Sequence, residues 1–271
     1  MVTSSVPLEG NATPGLSGRT DAFPAPGWRS EVAGTVPAMA TFAFIHGAGG
    51  RGSDWQLAAD ELHARGHETV LINLPCDQPV GLEAYADAVV DAVGDPPDDL
   101  VLVAHSLGGL TAPVAASRLP AQALVFVTAM VPLPGETGGD WWSNTGHHAA
   151  FEAQGRTDES EEAVYLHDVP ADVLAAAEPP RDQTGEVMED PCPLTEWPDV
   201  PTAYLVCGDD RFFPAGWMAD VVRARLGIEP VVVPGGHCPY LATPVSTAAA
   251  IEQAWRDRAT LPSVVWGSLS A

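Results

Sequence analysis

Lysine is absent from all 271 residues, and the twelve basic side chains, all arginine, face thirty-six aspartates and glutamates. The resulting formal charge of −24 at pH 7 repels phosphate backbones and anionic membrane surfaces, which excludes nucleic acid and acidic lipid as expected partners. Cysteine is scarce. Cys76, Cys192, Cys207 and Cys238 form no C-x-x-C pair and no zinc-type spacing with histidine, so no metal is expected. Such thiols suit a reducing cytoplasm. No apolar run approaches the ~18 residues of a membrane span, and the N-terminus lacks the basic-then-apolar pattern of a secretory signal. A cytoplasmic protein without membrane attachment is the expectation.

Periodicity first becomes regular at Met39. Residues 1–38 are rich in Gly, Pro, Ser and Thr, a composition that buries too little surface to offset the entropy of ordering it; they are expected to form a disordered or non-native extension. Short apolar runs follow at Thr41–Ile45, Thr69–Asn73, Leu100–Ala104, Ala123–Thr128, Thr202–Cys207 and Val231–Val233. With so little polar alternation they suit strands buried on both faces of a parallel sheet. Helical patterns fall between them, near Trp55–Arg65, Leu82–Val93, Leu107–Arg118, Gly216–Arg225 and Val245–Trp255. The alternation predicts an α/β fold with a doubly wound, mostly parallel sheet.

One interval breaks the rhythm. Residues 131–201 contain no strong buried strand, only helix-like pieces near Thr145–Gln154 and Pro170–Ala177. An insertion of that length is too long for a simple crossover and reads as a helical cap over one sheet edge. The organisation is therefore 1–38 extension, 39–130 first part of the core, 131–201 cap, 202–271 second part. Trp141, Trp142, His148 and Phe151 in the cap are candidates to line a substrate pocket, or equally to form the cap's own small core.

The stretch T-F-A-F-I-H-G-A-G-G-R-G-S-D-W (41–55) carries G-x-G-x-x-G after a strand, the dinucleotide fingerprint. That site also needs an acid ending the next strand, to hold the ribose hydroxyls. Here the next strand runs into Asn73-Leu74-Pro75, and Asp77 lies beyond the proline. The competing reading is the oxyanion loop of a serine hydrolase, opened by His46-Gly47.

Three loci support the hydrolase. In L-V-L-V-A-H-S-L-G-G-L (100–110), Ser106 sits on a strand-to-helix turn between Ala104 and Gly108, small enough for a sharp elbow. Asp209 and Asp210 follow a buried strand in Y-L-V-C-G-D-D-R-F-F-P (204–214). His237 lies after a strand and two glycines and is the only histidine beyond Asp210. Taken singly, these are an N-cap serine, a turn acid and a loop histidine. Together they give nucleophile, acid and base in the order Ser…Asp…His, each at a C-terminal strand end. The N–H groups of Ala48 and Leu107 complete the set as an oxyanion hole, and no cofactor is required.

On His46-Gly47, A-H-S-L-G-G, D-R-F-F-P and G-G-H, the chain resembles the α/β-hydrolase superfamily over residues 39–258, closest to a small cytoplasmic branch of plant methylesterases, hydroxynitrile lyases and bacterial hydrolases. The resemblance implies a sheet trimmed at its N-terminus, with Asp210 rather than Asp209 as the acid. It implies ester hydrolysis of a small-molecule substrate, with cyanohydrin cleavage on the same triad as the alternative. The lyases of that branch carry a lysine after the histidine, where this chain has Cys238, and a threonine in place of Gly47. A non-catalytic binding protein using the same pocket is the alternative from another class. The sequence specifies no oligomeric state.

Because residues 1–38 are expected to contribute nothing to the core, a chain of Met39–Ala271 should match the full chain in melting temperature and activity. A clear drop in either would count against that reading.

Overall fold

The structure is a computed structural model, and it describes residues 39–267; the expectation for residues 1–38 lies outside them. The apolar runs form six strands: β1 (Thr41–Ile45), β2 (Glu68–Leu71), β3 (Leu100–Ser106), β4 (Ala123–Ala129), β5 (Thr202–Cys207) and β6 (Val231–Val233). Every pairing is parallel, in the order β2-β1-β3-β4-β5-β6. The sheet expected to be mostly parallel is wholly so among the described residues. From β1 the chain moves outward to β2, then returns past β1 to β3 and runs to the other edge. Winding therefore reverses between β1 and β3, and a crevice opens beyond their C-terminal ends.

A strand's side chains alternate between faces, so continuous burial needs helices on both sides. In β3, Leu100, Leu102 and Ala104 join one core cluster while Val101 and Val103 join the other. The first cluster is covered by α2 (Leu82–Val93), α3 (Gly108–Ala116) and α8 (Ala215–Leu226), and the second by α1 (Gln56–Ala64) and α10 (Pro244–Arg256). The short α9 (Pro239–Ala242) precedes α10. β2 ends at Leu71, two residues earlier than expected; beyond it the Asn73 side chain accepts from Gly52 N at 3.0 Å instead of continuing the strand.

Between β4 and β5 run α4 (Gly138–Thr145), α5 (His147–Glu152), α6 (Glu161–Tyr165) and α7 (Ala171–Ala176). The expected helix over Thr145–Gln154 is in fact the end of α4 and the whole of α5. They are separated by Gly146 at φ 66°, a left-handed conformation that ends a helix. A buried ion pair ties this segment to the core. Arg225 on α8 binds both carboxylate oxygens of Glu136 and donates to Val131 O at 2.7 Å. Glu136 also accepts from Leu133 N (3.1 Å) and Asn144 Nδ2 (2.8 Å). The side chains of Arg225 and Glu136 are 6% and 1% exposed, so each charge depends on the other for solvation.

Removing one partner strands the other charge in the dry. Arg225→Ala is expected to lower the free energy of unfolding by about 3–5 kcal/mol, whereas Arg225→Met with Glu136→Leu should cost clearly less. Urea denaturation of the three proteins measures both values; equal losses would contradict a mutually dependent pair.

Candidate active site

β3 passes into α3 through Ser106, whose φ of +49° is left-handed. An L-residue other than glycine, asparagine or aspartate seldom adopts that conformation. Here it is held by β3 on one side and the fully buried α3 on the other. The strain projects Oγ out of the sheet edge rather than into either element.

Two long-range neighbours meet it. Ser106 Oγ lies 3.1 Å from His237 Nε2, and His237 Nδ1 donates to Asp210 Oδ2 at 2.9 Å. All three residues are buried. Asp210 Oδ1 accepts from Phe212 N and Phe213 N at 2.8 and 2.9 Å, and the Thr128 hydroxyl donates to Oδ2. Burial by itself would raise the Asp210 pKa, but the adjacent His237 and the hydrogen bonds outweigh it and hold the carboxyl below its usual range. Asp209, by contrast, is exposed, and its side chain makes no bond to His237.

The loop after β1 supplies the opposite wall. His46 accepts from Leu74 N at Nε2 (3.0 Å), so its proton sits on Nδ1 and is donated to Gly47 O (2.7 Å). Burial pulls its pKa down to about 4, which leaves the ring neutral and the loop pinned. Gly47 packs so tightly that a Cβ there would lie 2.8 Å from Ser106 Cβ and 3.0 Å from His105 Nδ1. Ala48 and Leu107 both line the cavity in front of Ser106. Neither of their N–H groups finds a protein acceptor among the described residues. Two donors without partners, flanking a hydroxyl, suit a developing oxyanion.

The segment after α7 straps this loop down. Arg181 N donates to Gly49 O at 2.8 Å, Gly49 N donates to Gln183 Oε1 at 3.2 Å, and Arg51 pairs with Glu178 at 3.3 Å. Gly49 has φ +63°, and a Cβ there would meet the Arg181 carbonyl at 2.8 Å. Nothing in the sequence pattern pointed to this strap, nor to His105, whose Nε2 donates to the His237 carbonyl at 2.8 Å and fixes the histidine loop. Burial holds the His105 pKa near 3, so this ring too stays neutral.

In front of Ser106 opens a cavity of about 610 Å³, walled by Met130, Trp142, Tyr165, Leu174, Phe212 and Tyr240 among others. Of the four aromatic residues expected to line a pocket, only Trp142 does. Trp141 is fully buried in the core and donates from Nε1 to Val131 O at 3.0 Å. Consecutive helical residues point about 100° apart, so one tryptophan faces the core and the next the cavity. The same offset corrects the histidines. His148 is 85% exposed and pairs with Glu152, while its neighbour His147 turns inward to Phe212 O at 2.9 Å. Phe151 is half-buried, stacked on His147 and edge-on to Phe212, away from the cavity.

The profile of the Alpha/beta hydrolase family matches residues 42–250, and the chain belongs to that family. Over 110 residues it is 34% identical to a probable esterase of rice (Oryza sativa subsp. indica), an overlap of 36% of this chain and 42% of the rice protein. The chain thus matches less than half the length of that relative. It is 25% identical over 236 residues to a pyrethroid hydrolase of Sphingobium wenxiniae, covering 76% of this chain and 84% of that one. Among solved structures, a pyrethroid hydrolase from Sphingobium faniae superposes with a TM-score of 0.66 at 23% identity, over 82% of this chain and 99% of its own. Polyneuridine aldehyde esterase does so with a TM-score of 0.65 at 17% identity, over 79% and 98%. These two likenesses are of fold. No helix among the described residues is long and apolar enough to cross a membrane.

The contact at Gly47 generates a direct test of loop closeness. Gly47→Ala should slow labelling of Ser106 by a fluorophosphonate probe at least ~10-fold, with an overpacking cost to stability of about 1–3 kcal/mol. Unchanged labelling would mean that the loop retreats freely from the serine.

Proposed function

We propose that the chain is a serine hydrolase of small carboxylic esters, working through an acyl-enzyme. The observation that carries this reading is the unbroken path from Ser106 Oγ through His237 to Asp210, ending at a cavity flanked by two unpartnered N–H groups. The names of the relatives, esterase and pyrethroid hydrolase, support ester cleavage over other acyl transfers.

In this mechanism Ser106 attacks the ester carbonyl while His237 Nε2 takes the hydroxyl proton. Asp210 holds the proton of Nδ1, fixing the tautomer that leaves Nε2 free to act as base. The negative oxygen of the tetrahedral intermediate is received by the N–H groups of Ala48 and Leu107, donors worth ~3 kcal/mol each in comparable sites. His237 returns its proton to the departing alkoxide. A water then attacks the acyl carbonyl as the same imidazole takes its proton; the bond to Ser106 Oγ breaks, Oγ takes that proton back from His237 Nε2, and the acid leaves. The apolar part of the cavity wall, Met130, Trp142, Leu174 and Phe212 among it, suits the hydrocarbon part of a substrate, while Arg51, Glu161, Glu178 and Arg181 make the rest of its lining polar.

Cyanohydrin cleavage on the same triad needs a positive charge near the leaving cyanide. The residue after His237 is Cys238, a thiol that burial pushes up to about 12 and therefore keeps neutral. The chain holds no lysine to substitute for it, and the two cations that line the cavity, Arg51 and Arg181, are paired with Glu178 and Asp77.

Hydrolysis of p-nitrophenyl acetate, with mandelonitrile offered to the same preparation, tests the reaction. Ester turnover without benzaldehyde release is expected, and the reverse would overturn the assignment. Ser106→Ala and His237→Ala should each cut kcat by at least about 10⁴-fold, and Asp210→Asn nearly as far, because the three act as a unit. Asp209→Asn should keep most of the activity. If it proved the more damaging of the two, the acid would be misassigned.

A further inference from the structure

We infer that Thr128 is a positioning residue for the acid Asp210, delivered to it by a β-bulge at the end of β4. This rests on the serine-hydrolase reading above. Along most of their length β3 and β4 pair in simple register, from Val101↔Ala123 to His105↔Val127. The next pair is Ser106↔Ala129, so Thr128 is an extra residue on β4 with no partner on β3. Bulges of this kind interrupt a ladder to re-aim a side chain, and they concentrate beside active sites.

The backbone at that residue is strained. Thr128 has φ +40° and, with Ser106, is one of two non-glycine residues in left-handed conformation among the described residues. For a β-branched side chain this is a true outlier, kept only where surrounding contacts over-determine it. The two outliers are neighbours across β3 and β4, and both point functional oxygens beyond the sheet edge. One carries the nucleophile. The other, fully buried, places its hydroxyl on Asp210 Oδ2.

The carboxylate explains why a hydroxyl is wanted there. The Asp210 side chain is wholly removed from solvent. Oδ1 takes the two backbone N–H groups of Phe212 and Phe213, and Oδ2 takes His237 Nδ1 and Thr128 Oγ1. The first pair anchors the carboxyl to its own loop. The Thr128 bond, coming from a different strand, adds a restraint on Oδ2 itself, on the oxygen that faces the imidazole. Without it Oδ2 keeps one donor, and the His237 ring loses a rigid reference for its orientation.

The test is kinetic. Thr128→Val is nearly isosteric and equally β-branched, so it removes the hydroxyl while keeping the backbone demand unchanged. Rates are measured on p-nitrophenyl acetate per active site, with sites counted by end-point titration with a fluorophosphonate. A fall in kcat of roughly ten- to hundredfold is expected, with KM within about twofold of wild type, since the lost bond is to a charged group that matters most as the imidazolium forms. Thr128→Ser, which restores the hydroxyl, should recover most of the rate. Thr128→Ala carries the same expectation as Thr128→Val and decides the question if the valine variant does not fold. A kcat within twofold of wild type in the hydroxyl-free variant overturns the inference, as does a serine variant equally impaired. If the wild-type chain itself turned over no ester, the hydrolase reading would fail instead.

Discussion

A carboxylate held out of water must have its lone pairs filled by donors that do not move. Asp210 meets that demand with four, and they come from separate parts of the chain: the backbone of its own loop, the histidine loop after β6, and the end of β4. Those parts keep their spacing because β4, β5 and β6 are locked side by side in parallel register, Val127 opposite Leu205 and Cys207 opposite Val233. The sheet is therefore more than a scaffold under the site. Its register decides whether the charge at its edge can exist, and through that charge whether the imidazole stands where Ser106 can use it.

Strain is concentrated at the same edge. Ser106 and Thr128 depart from ordinary backbone conformation side by side, while the strands leading to them are regular and dry. A rigid, fully buried core can hold such residues because relaxing either would break packing on two faces at once. The opposite wall is held by different means. The loop after β1 owes its shape to the neutral His46 ring, to the closeness of Gly47 to Ser106, and to the strap through Arg181 and Gln183. The segment between β4 and β5 thus contributes to the shape of the loop facing Ser106 as well as to the cavity above it.

Much of the core was legible beforehand. Thr41–Ile45, Thr202–Cys207 and Val231–Val233 are strands with the bounds that their apolar runs suggest, and Leu82–Val93 is a helix over its whole expected length. Thr41–Ile45 and Thr202–Cys207 lie inside the sheet and are buried almost throughout, whereas Val231–Val233 is an edge strand that leaves Val232 57% exposed, short of the two-faced burial expected of it. Legibility fell where burial depends on a single turn. Trp141 against Trp142, and His148 against His147, are choices between adjacent positions of short helices, and composition cannot set the phase of a helix of six or eight residues. The strap was invisible for another reason: Gly49 takes part in it only through its backbone N–H and C=O, and the bond from Arg181 N is likewise backbone, so only Gln183 contributes a side chain there.

The residues, read in order, define which chemically distinct groups the chain carries and how they follow one another. Ser106, Asp210 and His237 each follow an apolar run, and in a parallel sheet all such run ends lie at one edge, so their pattern already implies that they lie near one another. The preference for Asp210 over its neighbour was likewise implied by the resemblance of D-R-F-F-P. Tertiary structure alone decided how that acid is held. Thr128 lies eighty-two residues from Asp210 in the chain, in an apolar run where a threonine reads as ordinary strand. Only a one-residue slip between β3 and β4 turns its hydroxyl toward the carboxylate, and a slip belongs to the pairing of two strands rather than to the residues of either.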